Sequence, residues 1–146
     1  MANTLKHYDP AQVIVVFGVF KLEGTAPGGR VNIDFPEGYG HVVGTDGEVA
    51  RFKINDETCK VTVPLLQTSN SNDTLMALYL ADRATPTGAP LSLFIKDLNG
   101  TSLFVAPGAW IVGPPKVSFV GGVESREWTF QTGAVIPFVG GNANLA

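Results

Sequence analysis

Residues 48–67 read EVARFKINDETCKVTVPLLQ. Two runs rich in β-branched and aromatic residues flank the polar stretch Asn55-Asp56-Glu57-Thr58, the pattern of a strand, a turn and a second strand. A four-residue loop sets Ile54 against Cys59, Phe52 against Val61 and Ala50 against Val63, so one face is apolar throughout. A two-residue turn at Asn55-Asp56 keeps the same faces, so the loop length stays open. A three-residue loop would oppose Phe52 to Lys60, because a slip of one residue inverts every side chain. The other face carries Arg51, Lys53, Lys60 and Thr62. Pro64 has no N–H for a ladder and belongs at an edge or a bulge.

Outward from this pair the chain stays β. Upstream, Gln12–Phe17 is a continuous β-branched run, like a strand buried on both faces. A turn at Gly24, Pro27, Gly28 and Gly29 leads to Arg30–Phe35, where Val31, Ile33 and Phe35 share one face. A break at Pro36–Gly40 and a loop through Gly44–Gly47 precede the central pair. Downstream, Leu75, Leu78 and Tyr79 recur at helical spacing. Asn70 is placed to cap that helix and Asp73 suits its positive end, which predicts a helix over 71–83 stopped by Pro86 and Gly88. Short strands follow at Leu91–Lys96, Thr101–Val105, Trp110–Val112, Val117–Val120, Glu124–Gln131 and Ala134–Phe138, the first two joined through Asn99-Gly100. In Glu124–Gln131, Arg126, Trp128 and Phe130 share a face. About ten short strands and one flanking helix predict a mainly β fold, an antiparallel β-sandwich or barrel. A single domain over 1–146 is expected, with an N-terminal arm at 1–10 and a mobile or partner-held tail at 140–146.

Composition narrows the function. The 146 residues are 45% hydrophobic but only 16% charged, against about 25% in an ordinary soluble domain. Such a surface suits coverage by neighbours better than exposure to water. A net charge of −3 gives no electrostatic grip on nucleic acid. Cys59, the single cysteine, excludes an intrachain disulfide, and its place beside Val61 and Val63 predicts a buried, inert thiol. The apolar run Val13–Phe20 is too short to span a bilayer, and Asp9 and Pro10 spoil its likeness to a signal peptide, so no stable membrane association is expected.

Chemistry is sparse. His7 and His41 lack metal-ligand spacing, so no metal and no cofactor is expected. Gly38–Gly44 misplaces the third glycine of a dinucleotide loop and no helix follows it, which leaves a flexible β-loop. Gly-x-Ser-x-Gly is absent. Asp56-Glu57 lies in a turn, and Glu124 and Glu127 fall on opposite strand faces, so neither pair suits acid–base work. Asn72-Asp73-Thr74 and Asn99-Gly100-Thr101 match the glycosylation acceptor by chance.

The order of several landmarks resembles a known family. Tyr8-Asp9-Pro10 precedes a Val-rich strand, and Gly44-Thr45-Asp46-Gly47-Glu48-Val49 leads into a charged one. Gln67-Thr68-Ser69-Asn70-Ser71-Asn72-Asp73 precedes the helix, Arg126-Glu127-Trp128 sits in a late strand, and Phe138-Val139-Gly140-Gly141-Asn142 closes the chain. The set is similar to the tail tube proteins of contractile-tailed phages. The resemblance implies a non-enzymatic virion protein, assembled in the host cytoplasm, that forms hexameric rings stacked around a lumen. Implied partners are further copies, the tail sheath protein, the tape-measure protein, baseplate and neck proteins, and genomic DNA in transit only. By the same analogy Glu48–Gln67 would help build the inner barrel, where strands of adjacent subunits join, and Tyr39–Gly47 and the arm Ala2–Pro10 would meet the next subunit or ring. Candidate interface residues are Tyr8, Asp9, Tyr39, Asp46, Glu48, Arg51, Lys53 and Lys60, the last three paired with carboxylates or placed between copies. The alternatives are the tube of a related contractile injection system and a carbohydrate-binding β-sandwich using Trp110, Trp128 and Tyr39.

Overall fold

The computed structural model describes residues 5–6, 8–10, 13–25 and 31–141. The predicted arm, the turn at 26–30 and the tail beyond 141 lie wholly or partly outside these. Among the described residues are ten strands: β1 (Val13–Phe17), β2 (Phe20–Lys21), β3 (Asn32–Asp34), β4 (Tyr39–Val43), β5 (Val49–Lys53), β6 (Lys60–Leu66), β7 (Leu91–Asp97), β8 (Leu103–Ile111), β9 (Ser125–Thr132) and β10 (Ile136–Phe138). One helix, α1 (Ser71–Ala84), joins β6 to β7. The fold is therefore mainly antiparallel β with a single helix, as expected.

Eight strands form one antiparallel sheet in the order β2-β1-β7-β8-β9-β6-β3, with β10 paired to β8. The sheet curls. After β2 the chain crosses to β6, where Thr25 bridges Leu65 and the Leu66 N–H donates to the Gly24 carbonyl (2.8 Å). A strand near one edge is thus tied back to a strand near the other, and the inward side chains become a barrel-like core. Val61, Val63 and Leu65 of β6, Trp128 and Phe130 of β9, and Leu93 and Phe104 are buried there. The rings of Phe17 on β1 and Phe130 on β9 meet across the interior, centroids 5.0 Å apart, a tilted pairing worth about 0.5–1.5 kcal/mol beyond its area.

β9 and β10 are one strand with an interruption. Thr132 pairs with Ala109 and Ile136 with Val105, a single register along β8. The break falls at residues 133–135, where the Gly133 N–H donates to the Gly108 carbonyl (2.9 Å). Thr132 holds this corner, its hydroxyl accepting the Cys59 N–H (2.9 Å). Two expected strands, Thr101–Val105 and Trp110–Val112, fuse into β8 despite Pro107 and Gly108. A register irregularity between Leu91 and Leu93 on β7 absorbs the residue that cannot donate.

The helix is seated by a buried amide. The Trp128 Nε1–H donates to Asn72 Oδ1 (2.8 Å), and Asn72 Nδ2 donates to the carbonyls of Leu66 (2.8 Å) and Ser69 (3.1 Å). Leu75 is fully buried beside it, whereas Leu80, farther along the helix, is exposed. Asn70 occupies the cap position but its side chain makes no capping bond, since its backbone is already helical. Ser69 Oγ accepts the Ser71 N–H instead (3.2 Å). At the far end Asp82 is not a free surface charge, because it accepts the Ala89 N–H (2.6 Å).

The pairing expected within 48–67 is not formed. β5 pairs with β4, not with β6, whose neighbours are β9 and β3. Two local devices decide this. Asp56 accepts both the Thr58 N–H (3.0 Å) and the Thr58 hydroxyl (2.6 Å), which commits the expected turn to a different local fold. The run Gly44–Gly47 makes the tight turn, with Gly47 at φ +88°. The apolar face of β6 gains Trp128 and Phe130 as partners, a larger burial than Ala50 and Phe52 could offer. Gly38–Gly44 is accordingly largely a strand rather than a flexible loop. Pro64 lies beyond β3, which reaches only to Thr62, so its missing N–H interrupts no ladder with β3.

Candidate assembly surface

β4 and β5 form a two-stranded ribbon outside the main sheet. Its turn is closed by the Gly44 N–H on the Glu48 carbonyl (2.7 Å), and by Asp46 Oδ1, which accepts the Glu48 N–H (3.1 Å). Residues directly opposite share a face: Tyr39 with Lys53, His41 with Arg51, Val43 with Val49, and on the reverse Gly40 with Phe52 and Val42 with Ala50. The Arg51 guanidinium lies over the Tyr39 ring, 4.6 Å from its centroid. The Phe52 ring lies over Gly40, so a β-carbon there would displace the ring from its place across the ribbon.

Every residue of β5 is exposed, and Phe52 and Val42 remain 51% and 60% exposed. An isolated hairpin is marginal in water, and contiguous apolar surface of this kind marks an interaction site. The ribbon thus brings five predicted interface residues together: Tyr39, Arg51 and Lys53 on the strands, Asp46 and Glu48 at the turn. Lys60 is not with them. The expected Arg51/Lys53/Lys60/Thr62 face is split between two sheets, and Lys60 sits on β6 directly across from Asp34. The sequence signal for the true pairing was Gly44–Gly47 between Val42-Val43 and Glu48-Val49.

Tyr8 lies at a second feature, a cleft of about 710 Å³ at the mouth of the barrel, which Pro10, Val13, Ile33, Phe35 and Phe138 also line. Asp9, beside it, is half-buried. The expected free tail is tied down as far as Gly141. The Gly140 N–H donates to Ser102 Oγ (3.0 Å), and the Thr101 N–H donates to the Gly141 carbonyl (3.0 Å). A third feature is residues 112–124, which lie between β8 and β9 in irregular backbone. There Phe119 is 84% exposed, and the strand expected at Val117–Val120 is not formed.

Among the described residues, reactive groups do not gather at one place. Cys59 is 3% exposed, and burial followed by the Asp56 charge pushes its thiol up, away from thiolate chemistry. Asp56 is held below the ordinary carboxylate range by its Thr58 bonds. Among the described residues no three His, Cys, Asp or Glu side chains gather as metal ligands. No described helix is long and apolar enough to cross a membrane. Trp128 is a core residue, which removes it from any sugar-stacking surface. Asn72 is buried too, which removes the first glycosylation pattern.

A curled antiparallel β body with one helix and an exposed two-stranded ribbon defines the class of fold. The chain belongs to the bacteriophage PhiTE tail tube protein family, whose model matches residues 19–140. It is 30% identical over 148 residues to "Structural protein ORF10" of Pseudomonas phage KPP10, covering 91% of this chain and 86% of that protein. Among solved structures it shares its fold with a chain of the PVC sheath–tube complex of an extracellular contractile injection system in the extended state. That match has a TM-score of 0.59 at 10% identity and covers 90% and 91% of the two chains. The anti-feeding prophage tube-terminating cap is similar as well, with a TM-score of 0.57, 10% identity and coverage of 94% and 95%. The chain is therefore a phage tail structural protein, a tail tube subunit and a component of the virion.

Proposed function

We propose that the subunits close into hexameric rings and that the rings stack into a hollow tube through which the genome passes. The observation that carries this reading is the β4–β5 ribbon, whose apolar side chains Val42, Val43, Val49 and Phe52 are exposed. A ring of such subunits is a cyclic, head-to-tail assembly, and its stacking gives a filament. The ribbon and the 1–10 arm with Tyr8 and Asp9 reach the adjacent subunit or ring, and Lys60 lies at a contact between copies. A net charge of −3 suits a conduit that DNA must not stick to. The sheath–tube complex among the fold neighbours supports a sheath around the outside. Tape-measure, baseplate and neck proteins complete the partner set, assembly takes place in the host cytoplasm, and no catalytic step is involved. The same neighbours favour, as a second reading, a tube that serves a contractile injection machine.

The test is Arg51→Glu. Arg51 is exposed and rests on Tyr39, so the charge reversal lowers filament yield about tenfold while the melting temperature of the dissociated chain moves by no more than about 2 °C. Equal loss of folding and of assembly would remove the ribbon from the interface.

A further inference from the structure

Residues 113–123 lie between β8 and β9 with no backbone hydrogen bond to any described residue. Within them Val117-Ser118-Phe119-Val120 has the β-branched and aromatic composition of a strand, with Val117 and Phe119 at positions of one face, bounded by Pro114-Pro115 and Gly121-Gly122. Val117, Phe119 and Val120 are all exposed, and the recorded side-chain contact of Phe119 is the Arg126 guanidinium, 5.9 Å from its centroid. A loop this long without structure of its own is uncommon and usually functional. An apolar segment of strand composition with unpaired backbone fits one kind of partner, the free edge of a sheet.

Among the described residues such an edge exists: β3 ends the sheet order, paired to β6 on one side. Ile33 and Phe35 point from it into the cleft at the barrel mouth, where about 710 Å³ stands open. A strand laid against β3 would send alternate side chains into that cleft, which suits the ring of Phe119. The charges agree: Lys116 precedes the segment, and Asp34 and Glu37 are exposed at the edge. The two features sit at opposite ends of β6. The segment is anchored beside Leu66 through the Gln67 N–H on the Glu124 carbonyl (3.0 Å), while β3 pairs with Lys60–Thr62, about 13 Å of strand away. The match is therefore head to tail between copies.

We infer that Val117–Val120 of one copy adds as a strand to the outer edge of β3 in the next copy, with Phe119 seated in its cleft. This rests on the reading of the chain as a self-assembling tube subunit and assigns one contact within it. Hydrogen exchange on the chain alone tests it. Amides 117–120 exchange freely in the dissociated chain and slow by about 100-fold or more on polymerisation, together with that of Ile33, whose N–H faces away from β6 because Asn32 and Asp34 take the bonds to Thr62 and Lys60. Ser118→Pro, which removes a donor that the free chain does not use, lowers polymer yield about tenfold with unchanged melting. Polymers that form while these amides still exchange freely overturn this contact and leave the tube reading standing. Protection that appears only when a sheath protein is added assigns the segment to that partner and overturns it equally. Failure of the unaltered chain to polymerise under any condition sinks the tube reading and this contact with it.

Discussion

Asn72 shows how one side chain can join two elements. Its amide satisfies the buried Trp128 N–H and two carbonyls at the start of the helix. Asn72→Ala would leave the buried Trp128 N–H unpaired, at a cost of about 1–3 kcal/mol, and would take one of two bonds from each carbonyl, which keep the Ser69 and Asn72 backbone N–H groups. We expect a loss of about 2–4 kcal/mol in denaturant unfolding of the dissociated chain, with tube geometry unchanged in whatever polymer remains. The sequence offered little hint of this, because an Asn near a helix start is a common cap and a sequon is a common accident. Cys59 was easier to read, since its alternation with Val61 and Val63 places it inside whichever strand β6 pairs with. Asp56 carries a pH dependence whose sign is definite. Its folded pKa is lowered, by the Thr58 hydroxyl first and the Thr58 N–H second, so its stabilisation is complete above the ordinary value near 3.8. That stabilisation is lost as pH falls through the lowered folded value. Asp56→Asn should flatten the acid limb of a stability–pH curve, and an unaltered limb would show that the Asp56 bonds contribute nothing measurable.

At the scale of elements, the helix and most of the strands were legible, because they rest on local alternation and helical spacing, whereas β4, read as a flexible β-loop, and the continuity of β8 through Pro107 were not. The pairing of β5 was not. Two turn signals, Asn55-Asp56 and Gly44–Gly47, flank the same strand, and local chemistry alone does not rank them. The decision comes from non-local burial, in which β6 gains Trp128 and Phe130, more than 60 residues away in the chain. The ribbon left over is the candidate site, so misreading the pairing hid its shape but not its residues: Tyr39, Asp46, Glu48, Arg51 and Lys53 fall on it. Val117–Val120 shows the reverse case, a strand signal that the isolated chain does not use. Gly40→Val is the element-scale test. The added side chain collides with the Phe52 ring across the ribbon. Filament yield should fall at least tenfold, while the main unfolding transition shifts by less than about 2 °C, because the ribbon contributes little to the barrel core. A large drop in melting temperature would show that the ribbon packs on the body after all.

At the scale of the whole molecule, low charge and many glycines and prolines describe a turn-rich chain whose surface suits neighbours. Those traits were readable from composition, and the structure adds where the uncovered surface lies: the ribbon, the cleft edge and the 113–123 segment. All three are apolar, and they occupy different parts of a small body, which favours repeated head-to-tail contact over a closed two-fold dimer. The central claim is polymerisation of this chain into a hollow tube. Cryo-electron microscopy of the purified chain at high concentration tests it most directly. The account predicts stacked rings with six-fold symmetry and an open lumen, the ribbon of each subunit covered by its neighbours. A chain that stays monomeric at every concentration and salt tried, or that closes into a two-fold dimer burying the ribbon, would contradict it.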